Sequence, residues 1–394
     1  MLGKTEINQM KKVIRDGIEK NQIAGGNLMI LKGGEEIFYH EDGLADRENG
    51  LPINRESIFR MYSLSKPITA TAVMILLERG LIDLYEPVSK YLPGFKNQMV
   101  VAGDSLVPVE REMILKDLLS MTSGLVYGGE HRAGQDTLAL FQEIDKRLLG
   151  ESPMSTVEAM NKLGECALAF QPGAYWEYGT SADVLGAIVE VVSGKRFGEF
   201  LKDEIFEPLN MVDTGFWLPE EKRSRLAKTY KDDGKGGLEL YTGNNLGIIH
   251  QMDRNPAFES GGAGLVSTID DYAQFAKMLM KEGSLEGVQI LRPQTVKHLT
   301  TATLNSAQQK GFDLWLTLCG HSYGNLMRVM TDCSNAGIIG SLGEYGWDGW
   351  LGAYFCNCPK DDLTILFMMQ KTDAGTTTLT RKLRNVILSS CCIS

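Results

Sequence analysis

The chain is 394 residues long, 43% hydrophobic and 23% charged, with a formal net charge of −10. This is an ordinary globular composition, with enough length for one large domain or two closely packed ones. The acidic balance excludes a broad nucleic-acid footprint and a polybasic membrane surface, both of which need Lys and Arg in excess on one face, and it leaves a small molecule or peptide as partner.

The N-terminal stretch MLGKTEINQMKKVIRDGIEKNQ sets Leu2, Ile7, Met10, Val13, Ile14 and Ile18 at helical spacing among charges. This pattern predicts an amphipathic helix and not a secretion signal. No apolar run reaches the roughly 20 residues that cross a bilayer. GGNLMILKGG and EEIFYHEDG then read as two strands joined by a Gly-Gly hairpin turn. From about Ser63 to His250 helical periodicity dominates, most clearly in VEAMNKLGECALAF, SADVLGAIVEVVSG and FGEFLKDEIFEPL. Strand-like runs return in SYGNLMRVMTD, WLGAYFCNC and LTILFMMQ, and TTLTRKLRNVILSS closes the chain as an amphipathic helix. The predicted fold is α+β: an antiparallel sheet flanked by helices, with an all-helical domain inserted into it. Residues 1–62 and 250–394 form the first domain and 63–249 the second, with the active site where they meet.

The seven cysteines, Cys166, Cys319, Cys333, Cys356, Cys358, Cys391 and Cys392, are scattered and odd in number, so they are read as reduced thiols and a cytoplasmic location is expected. Cys356 and Cys358 stand at i and i+2 on a strand with no histidine after them, and read as small buried side chains. The five histidines are dispersed, without HExxH spacing, and the glycine-rich stretches lack a phosphate-binding strand-loop-helix pattern. Neither a metal nor a cofactor is predicted, and nothing in the sequence sets an oligomeric state.

The stretch MYSLSKPITATAVMILLERG is too apolar to leave a continuous polar face, and Gly80 supplies its stop. Pro67 fits only a first helical turn, so Ser63 sits at the helix N-terminus and Lys66 one turn later on the same side. A serine hydroxyl becomes a good nucleophile only when a base takes its proton, and an amine in a dry site is driven toward the neutral form that can do so. The plainer alternative is that Ser63 caps the helix while Lys66 reaches for water, and the SxxK spacing alone does not choose between them.

The wider context does. SIFRMYSLSKPITATAVMILLERGLIDLYEPVSKYLP, LKDLLSMTSGL, FQPGAYWEYGTSADVLGAIVEVVSG, EIFEPLNMVDTGF, SGGAGLVSTIDDYAQFAKMLM and GWDGWLGAYF occur in one order along most of the chain. In these segments the sequence resembles the serine hydrolases related to class C β-lactamases, penicillin-binding proteins and family VIII carboxylesterases. The resemblance implies Ser63 as acylated nucleophile, Lys66 as its proton-transfer partner, and Tyr178 of YGTS as the tyrosine of the second motif. Thr180 stands where β-lactamases carry asparagine. Trp347, Asp348 and Gly349 occupy the place of the KTG-like strand segment, so the lysine that binds a substrate carboxylate is missing, and the tryptophan resembles the WGG-type segment of the esterases. A neutral aromatic wall suits an uncharged ester. The backbone N–H groups of Ser63 and Trp350 are the implied oxyanion hole, with Gly349 allowing close backbone approach.

Two rival motifs fail on their own terms. GHSYG, from Gly320 to Gly324, matches a nucleophile elbow around Ser322, and the preceding FDLWLTLC could be its strand. That fold needs a histidine later in the chain, and none follows His321. KTDAG at Lys371 follows the last strand at a turn and reads as a solvated loop. The expected activity is therefore cleavage of small carboxylic esters with short or medium acyl chains through an acyl-enzyme on Ser63. Transfer of the acyl group to an alcohol at the same site, D-aminopeptidase action and weak β-lactam hydrolysis are the alternatives, and a non-catalytic binding module is disfavoured by the intact Ser63, Lys66 and Tyr178. The segment from Leu125 to Met160 is expected to border the pocket, and which of Lys66 and Tyr178 is the base is left open.

Overall fold

The computed structural model describes residues 2–391. Eight strands form one antiparallel sheet: β1 (Gly25–Lys32), β2 (Glu35–Asp46), β3 (Leu51–Pro52), β4 (His321–Gly324), β5 (Met327–Met330), β6 (Tyr345–Asp348), β7 (Tyr354–Cys358) and β8 (Leu363–Met369), in the order β4-β5-β6-β7-β8-β1-β2-β3. Side chains alternate across it as a pleat requires: Leu28 and Ile30 face one side, Met29 and Leu31 the other. The first side is covered by the two terminal helices, α1 (Lys4–Glu19) and the C-terminal one, through Met10, Ile14, Leu383 and Ile387. The second side packs on the large core, including helix Ile269–Met280, whose Tyr272 meets Phe355 at 5.5 Å between ring centroids. With both faces covered, strands such as β8 are buried throughout and read as continuous apolar runs.

Gly33 and Gly34 form the two-residue β1–β2 loop with φ of 65° and 83°, and Lys32 pairs with Glu35, as the Gly-Gly signal predicts. SYGNLMRVMTD differs from the expected single strand. It folds back at Asn325 and Leu326, with φ of 49° and 66°, so β4 and β5 are a hairpin of their own. Asn tolerates that conformation, whereas a leucine there gives no turn signal. The helix in VEAMNKLGECALAF stops at Gly164, and Leu168 bridges Val100 instead. The middle of the chain is also not all-helical: Met99–Ala102 pairs with Ser105–Pro108, and Thr229–Asp232 with Leu238–Tyr241.

The apolar stretch after Ser63 becomes α2 (Ser65–Glu78), buried from Ser65 to Leu76. It packs against α3 (Ser181–Ser193), which Gly194 ends in the left-handed conformation. The closing helix α4 (Thr378–Cys391) matches the amphipathic pattern of the C-terminus. Cys166, Cys319, Cys333, Cys356 and Cys358 are free thiols, while the expectation for Cys392 and for the side chain of Cys391 lies outside the described residues. No helix among the described residues is long and apolar enough to cross a membrane.

Candidate active site

Ser63 lies in a single 3₁₀ turn, Tyr62–Leu64, that runs directly into α2. Pro67 is the third residue of α2, within the first turn, where its missing N–H removes no intrahelical bond. Tyr62 holds a left-handed φ of 45°, a conformation that costs a bulky residue roughly 1–3 kcal/mol and persists only when packing imposes it. The packing is visible: the buried Tyr62 ring meets Trp350 edge-on at 4.9 Å.

The Lys66 ammonium is fully buried and has three partners, Ser63 Oγ at 3.0 Å, Tyr127 OH at 3.0 Å and the Gly262 carbonyl at 2.8 Å. The Gly262 carbonyl can only accept, so it takes one N–H. A neutral amine then has one N–H and one lone pair for the two hydroxyls, and an ammonium has two N–H groups for them. The same cradle therefore accommodates both protonation states. Burial pulls the lysine pKa down to about 7, against an upward pull from Asp183 and Asp348. Asp183 also builds the cradle, because its carboxylate accepts from Ser260 Oγ and from Gly262 N. Glycine is needed at both positions of that loop: a Cβ at 261 would lie 2.4 Å from Ala182 O, and one at 262 would lie 2.8 Å from Asp183 Oδ2.

Tyr178 lies beside this pair. Lys66 Nζ stands 4.7 Å from the centre of its ring, and Ser63 and Trp347 both hydrogen-bond its hydroxyl, Trp347 Nε1 donating at 2.9 Å. Burial raises the phenol pKa far above its usual value despite those two bonds, so the hydroxyl keeps its proton at neutral pH. Of the neighbouring aromatics of YWEY, Tyr175 packs on Phe170, and Trp176, sealed in the core, stacks on Tyr178 at 6.3 Å.

Other placements differ from the expectations. Trp347 is only 1% exposed, so it does not wall the substrate; it positions the Tyr178 hydroxyl. Asp348 follows it in the strand, on the opposite side of the pleat, and its carboxylate accepts from the Thr376 hydroxyl, which occupies the group expected to touch substrate. Thr180 is fully buried at the start of α3, with its hydroxyl shut away from any ligand. Gly349 does allow a close approach, but to Met61: an added Cβ would lie 2.3 Å from its carbonyl. That contact brings Trp350 beside the Ser63 turn, and neither Ser63 N–H nor Trp350 N–H has a hydrogen-bond partner among the described residues.

GHSYG forms no elbow. Ser322 sits inside β4, paired with Val329, and FDLWLTLC is the end of a short helix followed by a 3₁₀ turn, not a strand. Lys371 is not solvated as expected, since its ammonium pairs with Asp232 at 2.8 Å and its backbone bonds Leu351. Two residues of the site carry no sequence signal. Tyr127 opens the segment expected to border the pocket, and Trp315, 38% exposed, stacks on Trp347 at 6.2 Å and meets Tyr178 at 5.2 Å.

The Beta-lactamase family model matches residues 10–387, nearly the whole chain. The chain belongs to the β-lactamase family. It is thereby a serine hydrolase of the β-lactamase and transpeptidase fold. Among relatives, Protein Rv1367c of Mycobacterium tuberculosis is 29% identical over 91% of this chain and 88% of its own length. Esterase EstB of Burkholderia gladioli is 29% identical over 87% of this chain and 85% of its own. In three dimensions the chain superposes on EstCE1, a hydrolase with promiscuous acyltransferase activity, with a TM-score of 0.81 and 25% identity over 97% of this chain and 98% of that one.

One variant separates the two possible duties of Trp347 within this family site. Trp347→Phe keeps an aromatic ring and removes the donor to Tyr178. Losing one net hydrogen bond of about 0.5–1.5 kcal/mol predicts an ester kcat/KM lower by about 2- to 10-fold. Steady-state kinetics at matched melting temperature check this, and an unchanged rate would assign Trp347 to packing alone.

Proposed function

We propose that this enzyme cleaves small, uncharged carboxylic esters through an acyl-enzyme on Ser63, at a site between the helical middle of the chain and the sheet. Lys66 is the base: its neutral form, well populated near a pKa of about 7, takes the Ser63 proton across 3.0 Å as Oγ attacks the ester carbonyl. The N–H groups of Ser63 and Trp350 receive the oxyanion. Tyr178, protonated and bonded to Ser63, passes a proton to the departing alkoxide; the alcohol leaves and the Ser63 acyl ester remains. Water then attacks that ester and gives its proton to the Tyr178 phenolate, while the Lys66 ammonium returns a proton to Ser63 as the acid leaves. The observation that carries this reading is a buried, pKa-lowered amine hydrogen-bonded to a hydroxyl at a helix tip.

The ester preference rests on the missing cation, since Trp347 and not a lysine stands on β6, leaving no ammonium there to pair with a substrate carboxylate. Tyr178 and the partly exposed Trp315 give the entrance an aromatic lining. Acyl transfer to an alcohol in place of water uses the same acyl-enzyme, and the likeness to EstCE1 supports it as a second activity.

A fluorophosphonate probe followed by peptide mass mapping, run beside p-nitrophenyl esters, nitrocefin and a D-amino-acid anilide, tests the proposal. The expected result is an adduct on Ser63, ester turnover and little lactam or anilide cleavage. Efficient nitrocefin hydrolysis would overturn the ester assignment, and an adduct on any other residue would overturn the site.

A further inference from the structure

On the face of the sheet turned away from Ser63, beneath α4, lies a compact group of potential metal ligands that the hydrolase chemistry does not use. One ligand atom each from Glu344, Cys356 and Cys358 lie within 4.8 Å of one another, all three residues buried. We propose that these three side chains form a buried structural site for zinc or a similarly borderline-soft divalent cation.

The spacing supports it first. Cys356 and Cys358 point to the same side of β7 because they are two residues apart on a strand. Their sulfurs are 3.8 Å apart, and Cys358 Sγ is 3.7 Å from Glu344 Oε2. A tetrahedral ion with bonds of about 2.3 Å to sulfur and about 2.0 Å to oxygen sets its ligands about 3.8 Å apart for two sulfurs and about 3.5 Å for sulfur and oxygen. The observed separations are close to those of a site ready to receive the ion.

His321 stands behind Glu344. It is only 2% exposed, its Nδ1 lies 3.3 Å from the Leu318 carbonyl, and its Nε2 lies 3.5 Å from Glu344 Oε1. It therefore meets the carboxylate at the oxygen other than the one that approaches Cys358, and helps hold Glu344 in place beside the two sulfurs.

Charge also balances. Arg384 of α4 donates to Glu344 Oε1 at 2.6 Å and faces Cys356 Sγ at 3.7 Å, while Arg328 is offset by Asp348. When a divalent ion enters, two S–H protons leave to solvent and two metal–sulfur bonds form, so the buried net charge is unchanged. Thiolates that would otherwise be costly to bury gain both the ion and a guanidinium donor. Two thiolates and a carboxylate select zinc over magnesium or calcium, and a site buried on the face of the sheet away from Ser63 serves structure and not catalysis.

The test uses the full-length protein, refolded with zinc and dialysed against chelator, with metal content read by mass spectrometry. About one zinc per chain is expected in the wild type and in Ser63→Ala, and none in the Cys356→Ser, Cys358→Ser double variant. Because that variant could fail to fold, the wild type refolded with cobalt gives a separate readout: thiolate-to-metal charge-transfer bands and tetrahedral cobalt transitions, weakened in Glu344→Gln. A wild type holding no more zinc than the double variant, a cobalt complex without thiolate bands, or an intact mass lower by two hydrogens from a Cys356–Cys358 disulfide would each overturn the site.

Discussion

A Lys66→Met variant is expected to lose ester hydrolysis by about 10²–10⁴-fold, the usual contribution of a positioned base, and to lose stability relative to the wild type as pH rises from about 7 toward 10. The two effects have one origin. Folding lowers the Lys66 pKa from 10.5 to about 7 because the site is dry, so below pH 7 the folded protein holds a proton it binds more weakly than the unfolded chain does. The penalty is about 5 kcal/mol at 1.36 kcal/mol for each pH unit of difference. The sign follows from linkage: between about pH 7 and 10.5 the unfolded chain carries the extra proton, so wild-type stability rises with pH across that window and the whole penalty is present below it. Methionine removes the penalty but leaves the Gly262 carbonyl and the Ser63 and Tyr127 hydroxyls without the amine, at a cost of about 1–3 kcal/mol for each group left unpaired. Those losses do not depend on pH, so the variant's stability relative to the wild type is highest near pH 6 and falls by about 5 kcal/mol toward pH 10. Thermal melts across that range check it, and a difference that stays constant with pH would show that Lys66 is not desolvated. For the wild type, kcat/KM should fall tenfold per pH unit below an inflection near pH 7, as the base is lost to protonation.

The parts of this molecule that are local in sequence were legible in it. Ser63 and Lys66 are one helical turn apart, so Pro67 and the apolar run after it suffice to put them face to face. The Gly33-Gly34 turn and both terminal helices are equally local signals. What the sequence hid was assembled across the chain. Tyr127 and Gly262 reach Lys66 from segments 61 and 196 residues away, and no spacing rule connects a lone tyrosine or a glycine carbonyl to a distant amine. Trp347 was found by its place in a motif, but its duty was misread, because only the fold shows which end of the indole meets Tyr178. His321 was missed as a neighbour of Glu344 for a similar reason: 23 residues separate them, and the hairpin turn at Asn325 and Leu326 that brings β4 into the sheet puts a leucine where a turn signal is expected. Periodicity reports which face of an element is buried, whereas a site depends on what a neighbouring element places against that face.

Tyr178→Phe is expected to separate the proton that enters the leaving group from the proton that leaves Ser63. The phenol is held neutral by burial, touches Ser63, and accepts from Trp347, so its free role is to give its own hydrogen. An alkyl ester expels an alkoxide that cannot depart without that hydrogen, and removing a positioned acid there predicts a loss of about 10²–10⁴-fold in kcat/KM. A p-nitrophenyl ester of the same acid expels a stable phenolate and needs no such donor, so its loss should be no more than about 10-fold, the size of a missing hydrogen bond to the nucleophile. The inflection near pH 7 should remain in both cases, because burial of Lys66 and not the phenol sets it. Equal losses for the two esters, or disappearance of the inflection, would make Tyr178 the base in place of Lys66. Retention of both rates would leave the proton path to Tyr127, the other hydroxyl within 3.0 Å of the amine.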